Sequence, residues 1–259
     1  ERVGSGGTAD VFRARRTRDF KRVALKMMLP GLRRDPLASR RFVEEGKLLQ
    51  RLEHPSIVHG KRVFKFLDTF VVEMDFVPGR TLEEELDDGH VFSESEAMDI
   101  VLQTARALEY LRGEGIVHRD LKPGNLMRKP DGKVVLIDLG FALPQQQSSG
   151  TGQADTTSGT PAYLAPEQAR GDDSLDARAD IYSLGVTFYH LVVGELPFTG
   201  DSDAEVMRQQ ILAGLKGGKM KSADISPATH YLIEKMMAKD RDIRYADPAE
   251  LADDIEAMS

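Results

Sequence analysis

The residues of this 259-residue chain best suited to chemistry lie between His118 and Gly140, in HRDLKPGNLMRKPDGKVVLIDLG. Asp120, Lys122, Asn125 and Asp138 fall on two short loops, separated by an alternating apolar run from Val134 to Ile137 that predicts a strand. These residue types suit phosphoryl transfer. Its loose transition state needs a metal ion to screen charge, a cation near the transferred group and an acceptor for the nucleophile's proton. Asp120 is the candidate base and Lys122 the candidate cation. Asn125 and Asp138 offer hard oxygen ligands of the kind Mg²⁺ takes. A polar surface loop would carry the same four residues with no chemistry, so the surrounding elements decide the matter.

Those elements begin at Gly4, Ser5, Gly6 and Gly7, in GSGGTADV. Small residues there let backbone amides approach a polyanion, although a glycine-rich hairpin turn has the same composition. Val23 to Met28, VALKMM, predicts a strand with Ala24 and Lys26 on one face, suited to a flat apolar ligand beside an anion. A strand-end lysine that snorkels is the plainer alternative. The helix that follows carries Phe42, Glu45, Leu49 and Leu52 on one stripe. A carboxylate on an apolar stripe is costly unless paired, and Lys26 is its natural partner; Glu44 points about 100° away. His54-Pro55 ends that helix. Two β-rich runs follow, Ile57 to Phe66 and Thr69 to Phe76, and Pro78-Gly79 marks a boundary. Ser93 and Glu96 form a capping box before a helix with stripe Ala97, Ile100, Val101, Thr104, Leu108 and Leu111. The acidic cluster Glu83 to Asp88 reads as a solvated helix face, with selection of basic peptides as the alternative.

In this order the motifs resemble the catalytic domain of eukaryotic-type Ser/Thr protein kinases, and TPAYLAPEQARG followed by DARADIYSLGV is most similar to the bacterial members. The resemblance covers essentially the whole chain. It implies an α+β, bilobal fold: an N-lobe over 1–74, a hinge over 75–79, a C-lobe over 80–259 and an activation segment over 138–167. It implies Mg-ATP as the phosphate donor, with Mn²⁺ as a substitute metal, and Ser or Thr hydroxyls of proteins as acceptors. In the nucleotide site it places the glycine loop with Val11 and Ala24 above the adenine and Met127 beneath it. The Lys26–Glu45 pair serves the phosphates, Met74 is the gatekeeper, and the backbone of Asp75 and Val77 meets the adenine. Thr160 would bind the catalytic aspartate and lysine. Thr156 and Thr157 would be phosphorylated and pair with Arg119. Asp180 would brace the catalytic loop, and Glu167 would pair with Arg244. The chain departs from the family pattern at Ala9, where the third loop glycine is expected, and at Leu139 in place of phenylalanine. At Gly60 a bulky apolar residue is usual, and the expectation is an underfilled column between the lobes. A pseudokinase and a small-molecule kinase are the alternative readings.

Composition is compatible with this. A hydrophobic content of 41% with 30% charged residues describes a globular protein. The formal net charge of −7 argues against nucleic acid and against direct membrane contact. The absence of cysteine excludes disulfides and fits a reducing compartment. A cytoplasmic location is expected, for this chain or as part of a larger, membrane-anchored protein. Autophosphorylation implies that two kinase domains meet as a dimer.

Overall fold

A computed structural model describes residues 1–140, 142–144, 159–172, 174–215, 220 and 225–258. Five antiparallel strands open the chain: β1 (Arg2–Ser5), β2 (Ala9–Arg15), β3 (Arg22–Met28), β4 (Gly60–Phe66) and β5 (Thr69–Asp75), in sheet order β1-β2-β3-β5-β4. Helix α1 (Pro36–Arg51) crosses between β3 and β4 and lies against the sheet. Asp35 caps it by accepting from the amides of Leu37 and Ala38, and Pro36 occupies its first turn, where the missing N–H costs nothing.

Two glycines set the distance between α1 and the sheet. A Cβ on Gly46 would lie 2.5 Å from Val63 and 2.7 Å from Val72; one on Gly60 would lie 2.9 Å from the Leu49 Cβ. The expected void at Gly60 is therefore absent. The backbone of α1 occupies the space that a larger residue 60 would take. The run starting at Ile57 also differs from expectation, because β4 begins only at Gly60. Val58 N–H instead donates to Leu136 O at 2.9 Å, and Leu136 N–H to Ser56 O at 2.9 Å, so residues 56–58 are tied to the catalytic half of the chain.

Helices dominate the remainder: α2 (Leu82–Asp87), α3 (Glu94–Gly113), α4 (Pro166–Arg170), α5 (Ala177–Val193), α6 (Asp203–Leu212), α7 (Pro227–Met236) and α8 (Pro248–Met258). Short strands β6 (Arg80–Thr81), β8 (Leu126–Arg128) and β9 (Val134–Leu136) form one small sheet; β7 (Ile116–Val117) and β10 (Leu143–Pro144) pair in another. The chain is thus α+β, with a β-rich part first and a mostly helical part after it. The stripe of α3 is buried as its periodicity predicts, and its Ser93–Glu96 capping box is closed. Helix α5 is buried on almost every side, but it starts at Ala177 with Asp176 as its cap. Asp180 is thus inside the helix and not its first residue. Nor is the acidic run on α2 simply solvated: Glu84 closes a capping box with Thr81, Glu85 pairs with Arg128 and Asp88 with Arg80. Among the described residues no helix is long and apolar enough to cross a membrane.

Candidate active site

β3 and α1 bring Lys26 and Glu45 together, with Lys26 Nζ donating to Glu45 Oε1 at 2.6 Å, both side chains buried. Glu44 faces outward and pairs with Arg40. Lys26 also donates to Asp138 Oδ1 at 3.0 Å, which joins the sheet to the loop after β9. Burial works against the charge on Lys26, but the carboxylates of Glu45 and Asp138 outweigh it and raise the pKa above the ordinary lysine value. One ammonium serves two acids, and they do not share it equally. Burial pushes Glu45 up to about 7 against the pull of Lys26. Asp138 is held at about 2: its place in the cleft opposes ionisation, but Lys26 and the Gly140 N–H, at 2.8 Å, more than offset that.

The catalytic loop is fixed from both ends. His118 N–H and Arg119 N–H each donate to the Asp180 carboxylate at 2.8 Å. Burial raises the Asp180 pKa, while those two amides and the charge of Arg119 favour its ionised form. Arg119 has φ 71°, a left-handed backbone that few non-glycine residues adopt. Its carbonyl accepts from Gln168 Nε2 at 2.8 Å. His118 joins the two catalytic loops: its Nδ1 accepts from Asp120 N–H at 3.2 Å and its Nε2 lies 2.8 Å from Asp138 O. The neutral tautomer with the proton on Nε2 satisfies both contacts. Both ring nitrogens of His118 are engaged, so neither is free to take a proton.

Asp120 Oδ1 accepts from Thr160 N–H at 3.0 Å. Lys122 Nζ donates to Thr160 Oγ1 at 2.6 Å and stands 3.3 Å from Asp120 Oδ2. Asn125 spends its amide N–H groups on Asp120, at 2.7 Å to the carbonyl and 3.2 Å to Oδ2. Its backbone carbonyl accepts from Ile137 N–H at 2.9 Å, which ties this loop to the residue before Asp138. A single carboxylate with an amide oxygen, completed by water and phosphate, is a donor set that suits Mg²⁺. Among the described residues no cluster of three or more His, Cys, Asp or Glu forms an all-protein cage.

Within the five-stranded sheet, Val11 of β2 pairs in register with Lys26 of β3, and Ala24 of β3 with Met74 of β5. Met127 lies half-buried on β8. Gly4 and Ser5 end β1, paired with Val11 and Asp10, and Gly6 and Gly7 lie in the turn to β2, closed by Gly6 N–H to Ala9 O at 2.9 Å and by Ser5 Oγ to Asp10 Oδ1 at 2.7 Å. Ala9 is buried at the start of β2 and Leu139 is buried beneath the metal loop, so both departures are packed. Asp75 N–H is taken by His59 O at 3.0 Å. Further from the cleft, Arg244 donates to both oxygens of Glu167, at 2.6 and 2.8 Å. Thr156 and Thr157 lie outside the described residues. Sequence reasoning missed Gln168 and Asp10. Gln168 follows the noted Glu167 but carries no charge, and Asp10 lies inside the glycine-loop motif itself.

The family model for the protein kinase domain matches residues 1–254, and the chain belongs to that family. It is 35% identical over 260 residues to a probable serine/threonine-protein kinase of Streptomyces coelicolor, covering 98% of this chain and 38% of that protein. It is 35% identical over 257 residues to the serine/threonine-protein kinase PknB of Mycobacterium leprae, covering 98% and 41%. The PknB of Mycobacterium tuberculosis shows 34% identity over 260 residues, again with 98% and 41% coverage. The chain spans about two fifths of the length of these curated relatives.

Proposed function

We propose that this chain transfers the γ-phosphate of Mg-ATP to Ser or Thr hydroxyls of proteins, its own activation segment included. The observation that carries this reading is the grip on Asp120. One carboxylate is held by Thr160 N–H at 3.0 Å and Lys122 at 3.3 Å, and Lys122 is tied in turn to the Thr160 hydroxyl at 2.6 Å. An acceptor hydroxyl placed against Asp120 loses its proton to that carboxylate as it attacks, and Lys122 stands where charge builds on the transferred group. Lys26, oriented by Glu45, binds the remaining phosphates. Asp138 and Asn125 would hold the metal, which when bound screens the phosphate charge. Residues 75–79 would form the hinge between the lobes. With the Asp75 N–H already engaged, that residue meets adenine through its carbonyl. The relatives' names, serine/threonine-protein kinase, support the acceptor class.

The test is a mass-spectrometric phosphosite map after incubation with Mg-ATP, with Asp120→Asn alongside. Phosphate on Thr156 or Thr157 in the parent and none in the variant is the expected result. Equal phosphate in both, or none in either despite bound nucleotide and an added protein acceptor, would overturn it.

A further inference from the structure

The net charge of −7 averages over two unequal regions. Residues 1–78 hold 17 Lys or Arg against 10 Asp or Glu, a net of +7; residues 79–259 hold 18 against 32, a net of −14. The positive charge is densest in the β2–β3 hairpin, where RARRTRDFKR, residues 13–22, carries six basic residues and one acid. Two of the six have partners inside the fold. Arg13 pairs with Glu1, and Arg16 lies 3.3 Å from Asp19 and 3.2 Å from Glu73. No ion pair among the described residues engages Arg15, Arg18, Lys21 or Arg22. Arg15 and Arg22 stand directly opposite each other across the two strands, where like charges destabilise the pairing. With Arg13 they line a surface cavity of about 260 Å³.

At the tip, Phe20 closes the loop through Phe20 N–H to Arg16 O at 2.8 Å. Its φ is 55°, a position that favours Gly, Asn or Asp, and 75% of its surface is exposed. Every residue from Thr17 to Arg22 is exposed. A strained backbone, a solvated aromatic ring and unpaired like charges thus coincide in one protruding turn, and none of them serves the cleft. The other left-handed hairpin tip, at Leu67 and Asp68, differs in that its acid pairs with Lys65.

We infer that the β2–β3 hairpin is a contact site for an anionic lipid surface, with Phe20 entering the headgroup layer and Arg15, Arg18, Lys21 and Arg22 meeting lipid phosphates. An apolar tip flanked by cations matches the chemistry of a membrane interface. Single-stranded nucleic acid calls for a groove and several stacking rings, whereas this turn offers one ring and projects outward. At physiological ionic strength the Debye length is about 8 Å, so a surface touching the tip senses the hairpin's charge before that of the distant acidic helices.

Flotation of the 259-residue chain with vesicles of phosphatidylcholine, with and without phosphatidylglycerol as the anionic lipid, tests this. Binding to the anionic vesicles is expected to exceed binding to neutral ones by roughly tenfold or more and to be lost at high salt. Arg15→Glu with Arg22→Glu should reduce it by roughly tenfold or more. Phe20→Gly separates function from folding: it relieves the left-handed strain and so raises the melting temperature, yet lowers vesicle binding. Wild-type binding that is equal on the two vesicle types, or absent from both, overturns the proposal. So does a charge-reversed variant that binds unchanged. If the wild type instead binds only a polynucleotide or polyglutamate, and loses that binding on charge reversal, the surface belongs to a different partner and the lipid assignment is wrong.

Discussion

Arg244 and Lys26 are both buried cations that approach a carboxylate to 2.6 Å, but their surroundings differ. The guanidinium of Arg244 meets Glu167 in two parallel bonds, and its remaining donors reach the carbonyls of Ala238, Arg178 and Lys239. Its side chain is 0% exposed and that of Glu167 is 2%. Lys26 is a point charge divided between Glu45, 6% exposed, and Asp138, 38% exposed. The first arrangement satisfies its donors geometrically and allows one configuration. The second leaves a carboxylate open to solvent and to a ligand, with a proton equilibrium near neutrality on the other. Burial of a charged pair therefore does not by itself mark a functional site, and incomplete satisfaction of the pair is the feature that sets the Lys26 cluster apart.

This contrast can be broken experimentally. Arg244→Ala leaves the Glu167 carboxylate buried and unpaired and should cost about 3–5 kcal/mol in denaturant unfolding. Replacing both partners by apolar residues of similar volume should recover most of the loss. Lys26→Met should abolish phosphotransfer but cost only about 1–3 kcal/mol, since Glu45 can take up a proton and Asp138 can be rehydrated. An equal loss of stability in the two variants would mean that both pairs are structural.

The proton equilibrium sharpens the same point. Glu45 has a folded pKa of about 7 against an ordinary 4.5. Between these values the folded state retains a proton that the unfolded state has released. Its contribution to stability is complete below about 4.5 and is lost as pH rises through 7. Melting curves across that window should fall more steeply for the parent than for Glu45→Gln; parallel curves would show that Glu45 does not titrate there. The smallest effect belongs to Arg40→Ala, which removes the solvent-exposed pair with Glu44 and should leave both melting temperature and phosphotransfer unchanged.

Much of the site was legible because its signals are local. The stripe that carries Glu45 between Phe42 and Leu49 could be read from helical periodicity, as could the outward direction of Glu44. The loops carrying Asp120, Lys122, Asn125 and Asp138 were apparent from residue type and from the strand between them. The cap at Ser93 follows from one short motif. Gly60 was misread for a physical reason. Its neighbours in sequence do not reveal that the backbone of α1, some ten residues earlier, fills its side-chain space. The start of α5 was not legible in the same way, because its cap at Asp176 lies in a polar stretch with no periodicity to mark it.

By itself, the sequence determined the order of the elements, the residues able to do phosphoryl chemistry and the faces they occupy, since helix and strand periods act over a few residues. Only the tertiary structure decided which distant groups satisfy one another. Asp180 accepts from amides 61 and 62 positions away, Lys26 reaches Asp138 across 112, and His118 ties the base loop to the metal loop across 20. It also set Arg15 opposite Arg22 and left the tip of that basic hairpin exposed. Contacts over such separations depend on how the chain packs, and no periodic pattern in the sequence records them.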